Sequence, residues 1–489
     1  MAAVWDVVVV GAGAAGMSCA IEAAERGLRV LVVERSDRPG GALHWSGGHM
    51  SAAACRRQRQ AGIEDTTQRH FQEILEINGH TGDEALIRLA VEEAPKTIDW
   101  LEENGFEFAP ECPRIIYGHV PYQVPRTVYG REKGLSVLKV LEQRWQRLIE
   151  SRRLNVRYSA AAVDVTRSEG SRYDTVVVAT ASDGIQRFRA RHIVFATGGY
   201  GAAPAFFARK HPGVPLLSAA YPTADGHGIA LLEAKGAIFR FSEYHLPSLG
   251  GLELPAGSGR TNFNDTWAMV LTSVYRPPRE VYLNASGCRF MAEDEPNADT
   301  RERCVMRQPG WFFWAVFDQA AFDERLPDGQ ENPLLIGWSR ERFLEEAQKG
   351  AAICQADSLE ALARACRLPT DAVLSEIAAF NEAVARGIDA RWGRKYLKNA
   401  VLQPPFYAVK IHAASLVTFG GVQVNTRFEV LDERGEPLPG LYAIGEMLGL
   451  GATSGHAFCS GMALTPALSF GRRLGRQLFL SKKPQTTAL

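Results

Sequence analysis

Apolar and polar positions follow two distinct periods at the start of the chain. Residues 7–10 are four consecutive valines, which predict a buried strand. The segment "AIEAAERGL" after them has helical periodicity, and a second apolar run, "RVLVVE", ends at Glu34. The pattern therefore predicts a strand, a tight turn, a helix and a second strand at the beginning of the molecule.

Similar patterns predict elements further along. Helical periodicity covers residues 84–104 and 134–151, and a closing helix is expected over 464–478. The turn-forming sequence "SDG" predicts a β-hairpin between two of the later apolar runs. Strands are expected in residues 155–167, 173–181 and 185–199.

The length of the chain and a change in its residue composition at residue 240 indicate more than one domain. The chain has 489 residues, of which 46% are hydrophobic, enough for large cores. From residue 240 the segments become aromatic and turn-rich, and they then form a helical pair broken at Leu368-Pro369. We expect a second domain over residues 240–407, inserted between residues 1–239 and 408–489 of the first.

Charge balance and cysteine spacing narrow the class of protein. Lys plus Arg and Asp plus Glu each number 55, so nothing predicts a nucleic-acid or acidic-lipid partner. No apolar run is long and charge-free enough to span a membrane, and the first strand starts too early for a signal peptide, so a cytoplasmic protein is expected. The eight cysteines lack C-x-x-C and zinc-ligand spacing, which predicts free thiols, a buried Cys19 and no metal site.

Gly11, Gly13 and Gly16 stand at G-x-G-x-x-G spacing between the first strand and the first helix. In such a unit the first glycine permits the turn, the second lets backbone approach a pyrophosphate, and the third lets helix and strand pack closely. The carboxylate of Glu34 at the end of the second strand suits a ribose hydroxyl. The unit predicts a dinucleotide site, and spacing alone leaves NAD and FAD both open.

Further motifs stand in one order along the chain: "VVVVGAGAAGMSCAIEAAERGLRVLVVE", "GGALHWSGGHMSAAA", "FATGGYG", "TADGHGIALLEAKGA", "CRFMAED", "PPFYAV", "TFGGVQVNTRFEVL", "GLYAIGE" and "ALSFGRRLG". With them the chain resembles, over nearly its full length, the flavoprotein superfamily of fumarate reductase, succinate dehydrogenase flavoprotein subunits and 3-ketosteroid dehydrogenases. The resemblance implies an α/β fold, with a Rossmann-like FAD-binding domain of the glutathione-reductase type and an inserted, mobile α+β capping domain. It also implies FAD as the cofactor.

The resemblance assigns parts of FAD to parts of the chain. It implies that Glu34 holds the adenosine ribose, that Gly11–Gly16 hold the pyrophosphate, and that Gly40–Met50 lie on the riboflavin side. Succinate dehydrogenases bond a histidine covalently to the flavin at a position that is about Gly41 here; His44 is offset by three residues, so we expect non-covalent FAD. The implied cofactor contacts are Gly11, Gly13, Ala14, Ala15, Gly16, Glu34, Arg35, Gly41, Ala42, Ser46, Gly47, Gly48, Val163, Ala196, Thr197, Gly198, Asp225, Glu446, Ala463 and Leu464.

The chain departs from the fumarate reductases where those enzymes carry cations. The position of their substrate arginine falls on Phe458, a histidine position falls on Val417, and no arginine follows Asp318 at the expected spacing. Because a buried dicarboxylate needs paired charge, we do not expect fumarate or succinate as the substrate. The aromatic run at residues 311–314 suggests a flatter, apolar substrate such as a cyclic ketone, or alternatively the core of the capping domain.

Candidate catalytic residues come from the Pro- and Gly-rich loop 115–130 and from the motifs. Tyr122 or Tyr129 is a candidate proton-transfer group, and Arg126 is a candidate anchor for a carbonyl or carboxylate. Two histidines, His245 and His456, are candidate polar contacts near the flavin. Packing, surface exposure or a simple salt bridge is the alternative role for each, and Cys459 is expected to pack.

The resemblance implies chemistry at a carbon–carbon bond beside an electron-withdrawing group. The principal hypothesis is a dehydrogenase (desaturase) of a cyclic ketone. An enoate or carboxylate reductase that uses Arg126 as anchor is the first alternative, and a flavoprotein subunit passing electrons to a partner is the second. Each requires a small-molecule substrate or a partner, together with an electron donor or acceptor that the sequence does not identify.

Overall fold

The computed structural model describes residues 4–480 except 169, 271, 327–328, 330 and 332. Residues 481–489, at the end of the predicted segment 408–489, lie outside the described residues. The strands are β1 (Trp5–Val10), β2 (Val30–Val33), β3 (Met50–Ser51), β4 (Thr127–Val128), β5 (Leu154–Arg157), β6 (Ala160–Thr166), β7 (Thr175–Thr180), β8 (Gly184–Phe195), β9 (Phe239–Arg240), β10 (Ser248–Gly251), β11 (Val281–Leu283), β12 (Phe312–Asp318), β13 (Ile353–Ala356), β14 (Phe406–Ala414), β15 (Gly421–Val422), β16 (Glu429–Leu431) and β17 (Pro437–Ala443).

The helices connect these strands and cover their faces. They are α1 (Ala14–Glu25), α2 (Arg56–Gln60), α3 (Thr67–Asn78), α4 (Glu84–Glu103), α5 (Gly134–Glu150), α6 (Pro204–Lys210), α7 (His227–Glu233), α8 (Ala298–Met306), α9 (Gln319–Asp323), α10 (Arg340–Lys349), α11 (Leu359–Ala365), α12 (Thr370–Arg386), α13 (Gly451–Ser454) and α14 (Leu464–Leu480). None of the helices in the described part of the chain has the length and apolar character needed to cross a membrane.

The first sheet is built on five parallel strands in the order β17-β8-β1-β2-β5. The valines of β1 are fully or almost fully buried and pair in register with β2, Val7 opposite Val30, and with β8, Val7 opposite His192. Strand β8 is long: its first half pairs antiparallel with β7, and its second half enters the parallel sheet. This topology agrees with a Rossmann-like flavoprotein fold.

Helices α1 and α14 pack closely on each other beside this sheet. A Cβ on Gly471 would lie 2.4 Å from the backbone oxygen of Ala15, and one on Gly475 would lie 2.6 Å from that of Cys19. The two glycines of α14 therefore allow backbone-to-backbone approach. Cys19 is fully buried in α1, as predicted, and burial raises the pKa of its thiol well above the usual range.

The second sheet is antiparallel and has the order β10-β14-β12-β11, with β13 also on β14. Strand β14 pairs with β10, β12 and β13, so Phe406–Ala414 belongs wholly to this sheet. The predicted boundary between residues 407 and 408 falls inside β14, and the chain returns to the first sheet only after Ala414. The sequence of β14 does not alternate cleanly between apolar and polar residues, because both faces of this strand are largely buried.

The aromatic run 311–314 lies at the start of β12 and points alternately to the two faces of the second sheet. Phe313 packs in one apolar cluster and Trp314 in the other, while Phe312 is partly buried against the second cluster. Trp311 stacks on His245 with ring centroids 5.7 Å apart. The structure thus places these rings in or against the apolar clusters of the second sheet, which agrees with the packing role that the sequence left open.

Candidate functional site

A cavity of about 410 Å³ runs along the carboxyl ends of the parallel strands. Its wall includes the residues that end or follow β1 (Val10, Gly11), β2 (Val33, Glu34) and β8 (Phe195, Ala196), and it extends to Ser248 and Phe263 of the second domain. Ligands of open α/β sheets bind at this edge, where the loops after the strands meet. The cavity is therefore the candidate site.

The glycine fingerprint shapes one end of the cavity. Gly11 has a φ of +102°, and a Cβ there would lie 2.5 Å from the backbone oxygen of Ala196. A Cβ on Gly16 would lie 2.0 Å from the backbone oxygen of Gly11, so Gly16 lets α1 pack against the turn. A Cβ on Gly13 would meet no atom within 4 Å, which leaves its surface open to a ligand.

Helix α1 begins at this opening without a side-chain cap. Its N-cap residue is Gly13, its first turn contains no acidic residue, and both Ala14 and Ala15 line the cavity. Backbone N–H groups at a helix start lack intrahelical partners, and the helix dipole favours an anion there. The geometry fits a pyrophosphate.

Glu34 is held in place at the end of β2. Its carboxylate accepts the backbone N–H of Ala12 at 2.6 Å and that of Ser36 at 2.8 Å, and it lines the cavity. Beside it, Arg35 Nη1 donates to Asp225 Oδ2 at 2.5 Å, and this pair is more than one-third exposed. A fixed carboxylate next to the fingerprint is suited to accept ribose hydroxyls.

Glu446 supplies a second carboxylate farther along the cavity. Its Oε1 accepts the backbone N–H of Thr418 at 2.9 Å and the Thr418 hydroxyl at 3.1 Å. Burial raises the pKa of Glu446. A Cβ on Gly199 would lie 2.3 Å from Glu446 Oε1, so this glycine leaves room for the carboxylate.

Two further segments close the middle of the cavity. A one-turn helix at Gly41–His44 leads into Ser46, whose hydroxyl accepts the backbone N–H of Gly48 at 3.0 Å. On the other side, Ala463 and Leu464 line the cavity at the start of α14. The positive end of a 17-residue helix thus faces the cavity.

The structure brings together nearly all of the predicted cofactor contacts. Of the implied set, Gly16 and Val163 are the two that do not line the cavity; Gly16 packs α1 on its strand, and Ala160, Ala161 and Ala162 line the wall near Val163. His44 also turns away, with its Nε2 2.9 Å from the backbone oxygen of Pro39. Open glycines, a bare helix start and two fixed carboxylates fit a dinucleotide such as FAD.

The opposite end of the cavity is apolar with two imidazoles. The ring of His119 stacks on Phe458, with centroids 4.0 Å apart and 17° between the planes. Burial lowers the pKa of His119 to about 3 and that of His49 to about 4, with the charges of Arg114 and Lys133 adding to the shift at His49. Both imidazoles are therefore neutral at pH 7.

Arg126 lies behind this wall and not on it. It is fully buried, donates to Asp65 at 2.6 and 3.0 Å and also pairs with Glu73. Its guanidinium lies 5.3 Å from the Tyr122 ring centroid, and the Tyr122 hydroxyl donates to the backbone oxygen of Ser460 at 2.9 Å. Ser460 does line the cavity, so Arg126 and Tyr122 support the wall from behind.

Tyr129 and His456 are likewise engaged with neighbours. The Tyr129 hydroxyl donates to Glu111 at 2.6 Å, burial raises its pKa to about 12, and its ring lies 5.1 Å from that of His49. His456 Nδ1 and Thr81 Oγ1 are 2.9 Å apart, and the same oxygen accepts the His456 backbone N–H. Neither residue lines the cavity.

His245 lies in an aromatic cluster beside Ser415. Its Nε2 is 3.2 Å from the Ser415 hydroxyl, and its ring packs against Phe207 and His211 as well as Trp311. Burial lowers its pKa to about 3. Cys459 is fully buried, as expected of a packing residue, and burial raises the pKa of its thiol to about 12.

Of the three histidines that line the cavity in the described part of the chain, His227 lies near Asp225 at the dinucleotide end, and the other two, His49 and His119, were not among the candidate residues drawn from the sequence. His119 stands in the loop 115–130 that was singled out, but the tyrosines and Arg126 of that loop were preferred. His49 directly follows Gly47-Gly48, and its position next to a predicted cofactor segment was the available signal. Only the fold shows that both reach the same space.

The comparisons with known proteins agree with this geometry. A probable fumarate reductase of Shewanella frigidimarina is 25% identical over 475 residues, covering 96% of this chain and 74% of that protein. Vinyl phenol reductase of Lactiplantibacillus plantarum is 26% identical over 483 residues, covering 94% of each. Both relatives align with nearly the whole chain.

Two solved structures share the fold. The open conformation of a flavocytochrome c3 fumarate reductase has a TM-score of 0.77 at 23% identity, covering 98% of this chain and 78% of that one. A 3-ketosteroid Δ1-dehydrogenase from Sterolibacterium denitrificans has a TM-score of 0.76 at 20% identity, covering 98% and 100%. The FAD binding domain family matches residues 6–462, and the chain therefore belongs to this family of flavoproteins.

Proposed function

We propose that the protein is an FAD-dependent reductase of carbon–carbon double bonds conjugated with an electron-withdrawing group. The observation that carries the proposal is one continuous cavity, which joins the dinucleotide end at Gly13 and Glu34 to a largely apolar end at His119 and Phe458. Residues of the second end enclose a small molecule beside the cofactor, away from bulk water.

The relatives support reduction as the direction. A fumarate reductase and a vinyl phenol reductase both carry reductase names. The principal hypothesis from the sequence was the reverse reaction, dehydrogenation of a cyclic ketone. The enoate-type alternative agrees better with these names, although its proposed anchor, Arg126, is already neutralised by two carboxylates.

When bound, reduced FAD supplies a hydride to the β-carbon of the alkene while a proton is added at the α-carbon, which leaves the cofactor oxidised. Within the chain, Glu34 and Glu446 bind hydroxyl groups, and the uncapped start of α1 binds the pyrophosphate. The start of α14 stabilises negative charge on the reduced ring system. The 2.9 Å distance between His44 Nε2 and the Pro39 backbone oxygen supports a cofactor without a covalent bond to this histidine.

The wall behind the substrate has a positioning role. Tyr122 fixes the backbone of Ser460, and the Ser460 hydroxyl lies 3.1 Å from that of Thr127. Arg126 holds this layer through Asp65 and Glu73. We assign Tyr122 and Arg126 to this support rather than to proton transfer or substrate binding.

The test uses the purified, FAD-loaded protein under anaerobic conditions. The flavin is first reduced with a limiting amount of dithionite, and conjugated ketones and carboxylates are then added one at a time. Return of the oxidised-flavin spectrum with formation of the saturated product supports the proposal. Failure of every alkene, together with bleaching of the oxidised flavin by a saturated cyclic ketone, would overturn it in favour of the dehydrogenase.

One observation keeps the ketone dehydrogenase as a second candidate. The apolar end has no cation on its wall among the described residues, and a structure with a TM-score of 0.76 is a ketosteroid dehydrogenase. The likeness of that structure concerns the fold alone. The same spectroscopic experiment distinguishes the two directions.

A further inference from the structure

The apolar end of the cavity has an unusual charge composition for a site that would receive an acid. Among the lining residues that the structure describes, Arg35 is the one Lys or Arg, and it pairs with Asp225 at the opposite end beside Glu34. The wall at the apolar end is formed mainly by Ile116, His119, Phe263, Leu416, Val417 and Phe458. An entering carboxylate would find no positive side chain on this wall.

The two imidazoles do not supply the missing charge. Burial lowers the pKa of His119 to about 3, with the charge of His49 adding to the shift. The pKa of His49 is lowered to about 4. Because both are neutral at pH 7, a carboxylate bound here would be a buried charge without a partner, which is strongly unfavourable.

The two cations that act on His49, Arg114 and Lys133, are directed elsewhere. Arg114 donates to the Tyr129 hydroxyl at 3.2 Å and to the Tyr275 hydroxyl at 2.6 Å. Lys133 Nζ donates to Asn264 Oδ1 at 2.9 Å. Neither Arg114 nor Lys133 lines the cavity, so their charges act on the site only through the intervening groups.

His119 offers a planar surface and a free polar atom together. Its ring stacks on that of Phe458, so each ring covers one face of the other, and both residues of this stacked pair line the cavity. Its Nδ1 is buried and has no hydrogen-bond partner within the described part of the chain. Because Nδ1 is enclosed, Nε2 is the ring nitrogen that a ligand in the cavity can reach, and it too makes no hydrogen bond to a described residue. A ligand that accepts a hydrogen bond from it would complete the hydrogen bonding of the imidazole.

We propose that the wall formed by His119 and Phe458 selects an uncharged, planar α,β-unsaturated ketone, and that the imidazole N–H of His119 donates a hydrogen bond to the ketone oxygen. The inference rests on the proposed function and narrows its substrate class. The hydrogen bond strengthens as negative charge develops on the oxygen during hydride addition to the β-carbon. The α-carbon of the resulting enolate then takes a proton from water, and added dithionite, or two equivalents of reduced viologen, returns two electrons to the flavin for the next turnover.

The test compares 4-phenylbut-3-en-2-one with cinnamate, which share a phenyl ring and a double bond and differ in the charge beside it. We expect kcat/KM for the ketone to exceed that for cinnamate by at least about 100-fold, the factor that about 3 kcal/mol of unpaired charge burial produces. Binding of the saturated analogues, 4-phenylbutan-2-one and 3-phenylpropanoate, to the oxidised holoprotein is measured by perturbation of the flavin spectrum. This second readout is independent of the intrinsic reactivity of the two alkenes.

Two pairs of variants assign the effect to the wall. Phe458→Arg should lower the ketone-to-cinnamate ratio at least about tenfold, whereas Phe458→Leu, which removes the ring without adding charge, should leave cinnamate poorly bound. His119→Phe keeps the stack but removes the donor, and kcat/KM for the ketone should fall about 100-fold. His119→Gln, which retains an N–H donor, should recover part of this loss. Flavin content and spectrum confirm that each variant is folded.

The outcomes separate this inference from the proposed function. Tight binding and fast reduction of cinnamate by the unsubstituted protein would overturn the inference while leaving the reductase proposal intact. Unchanged ketone reduction by His119→Phe would overturn the role of the imidazole. Failure of reduced flavin to react with any alkene, including uncharged ones that bind, would instead overturn the proposed function.

Discussion

The ring of His119 lies parallel to that of Phe458, with the centroids 4.0 Å apart. The first residue comes from the Pro- and Gly-rich loop 115–130, and the second comes from the glycine-rich segment that precedes α14. Packing of these two distant segments forms part of the wall at the apolar end of the cavity. The relatives of the chain include a probable fumarate reductase, yet among the described residues no Lys or Arg lies on this part of the wall.

Replacement of Arg126 should damage the fold more than it changes ligand choice. In Arg126→Met, Asp65 and Glu73 would remain buried without their shared partner, and we expect the free energy of unfolding to fall by about 3–5 kcal/mol. Urea denaturation of the holoprotein measures this change. Arg386→Met is the matched control, because Arg386 is 72% exposed in its pair with Glu382, and it should change stability by less than about 0.5 kcal/mol. A stable Arg126→Met protein that loses carboxylate binding alone would restore Arg126 as a substrate anchor.

Two glycines of the fingerprint should respond in opposite ways to alanine. In Gly16→Ala the new Cβ would lie 2.0 Å from the Gly11 oxygen, so α1 must move, and the FAD-free protein should lose about 1–3 kcal/mol. In Gly13→Ala the new Cβ meets no protein atom within 4 Å, so the FAD-free protein should keep its melting temperature and bind FAD at least about tenfold more weakly. Thermal unfolding with and without added FAD measures both effects. Equal FAD affinity of Gly13→Ala and the unsubstituted protein would contradict the pyrophosphate position.

The cofactor should leave the protein on denaturation. Because His44 is directed to the Pro39 backbone oxygen and does not line the cavity, no bond from this histidine to the flavin is expected. Acid precipitation should place all of the yellow chromophore in the supernatant, where mass spectrometry identifies it as FAD. His44→Ala serves as the control and should release the same amount. Colour retained in the pellet of the unsubstituted protein would show covalent attachment.

The stability of the protein should fall as the pH drops below about 6.5, in part through His70. This residue is fully buried beside Tyr122, neither ring nitrogen has a partner among the described residues, and burial together with the charge of Arg126 lowers its pKa to about 3, with Asp65 acting in the opposite direction. Between its folded and unfolded pKa values, the unfolded chain binds a proton that the folded chain does not, so the free energy of unfolding decreases as pH decreases.

The His70→Leu variant tests this contribution. The decrease in unfolding free energy from pH 7 to pH 5 should be smaller in the variant by about 2 kcal/mol, the value for one histidine protonated only in the unfolded chain. Urea denaturation at the two pH values gives the difference. The exposed His80→Leu is the matched control, since its side chain is 61% exposed, and its pH dependence should follow that of the unsubstituted protein. Identical pH dependence in His70→Leu would show that His70 is protonated in the folded state.

Local patterns were sufficient for much of the fold. The helix predicted over residues 84–104 forms as Glu84–Glu103, that over 134–151 as Gly134–Glu150, and the closing helix as Leu464–Leu480. The fingerprint glycines adopt the turn that their spacing predicts. Only a glycine fits at position 11, because the φ there is positive and a Cβ would collide with the backbone of Ala196. The roles of the individual cofactor contacts stay predictions.

The sequence by itself determined the nucleotide-binding half of this protein, since a strand, three glycines, a helix and an acid within one short segment depend on contacts between near neighbours in the chain. Only the tertiary structure decided the substrate end. The sequence left Arg126 as either a substrate anchor or half of a salt bridge, and folding pairs it with Asp65 and Glu73. His119 and Phe458, far apart in the chain, come into contact. Ion pairing and ring stacking depend on which distant segments come into contact in the folded chain. Periodicity and spacing along the sequence do not predict those contacts.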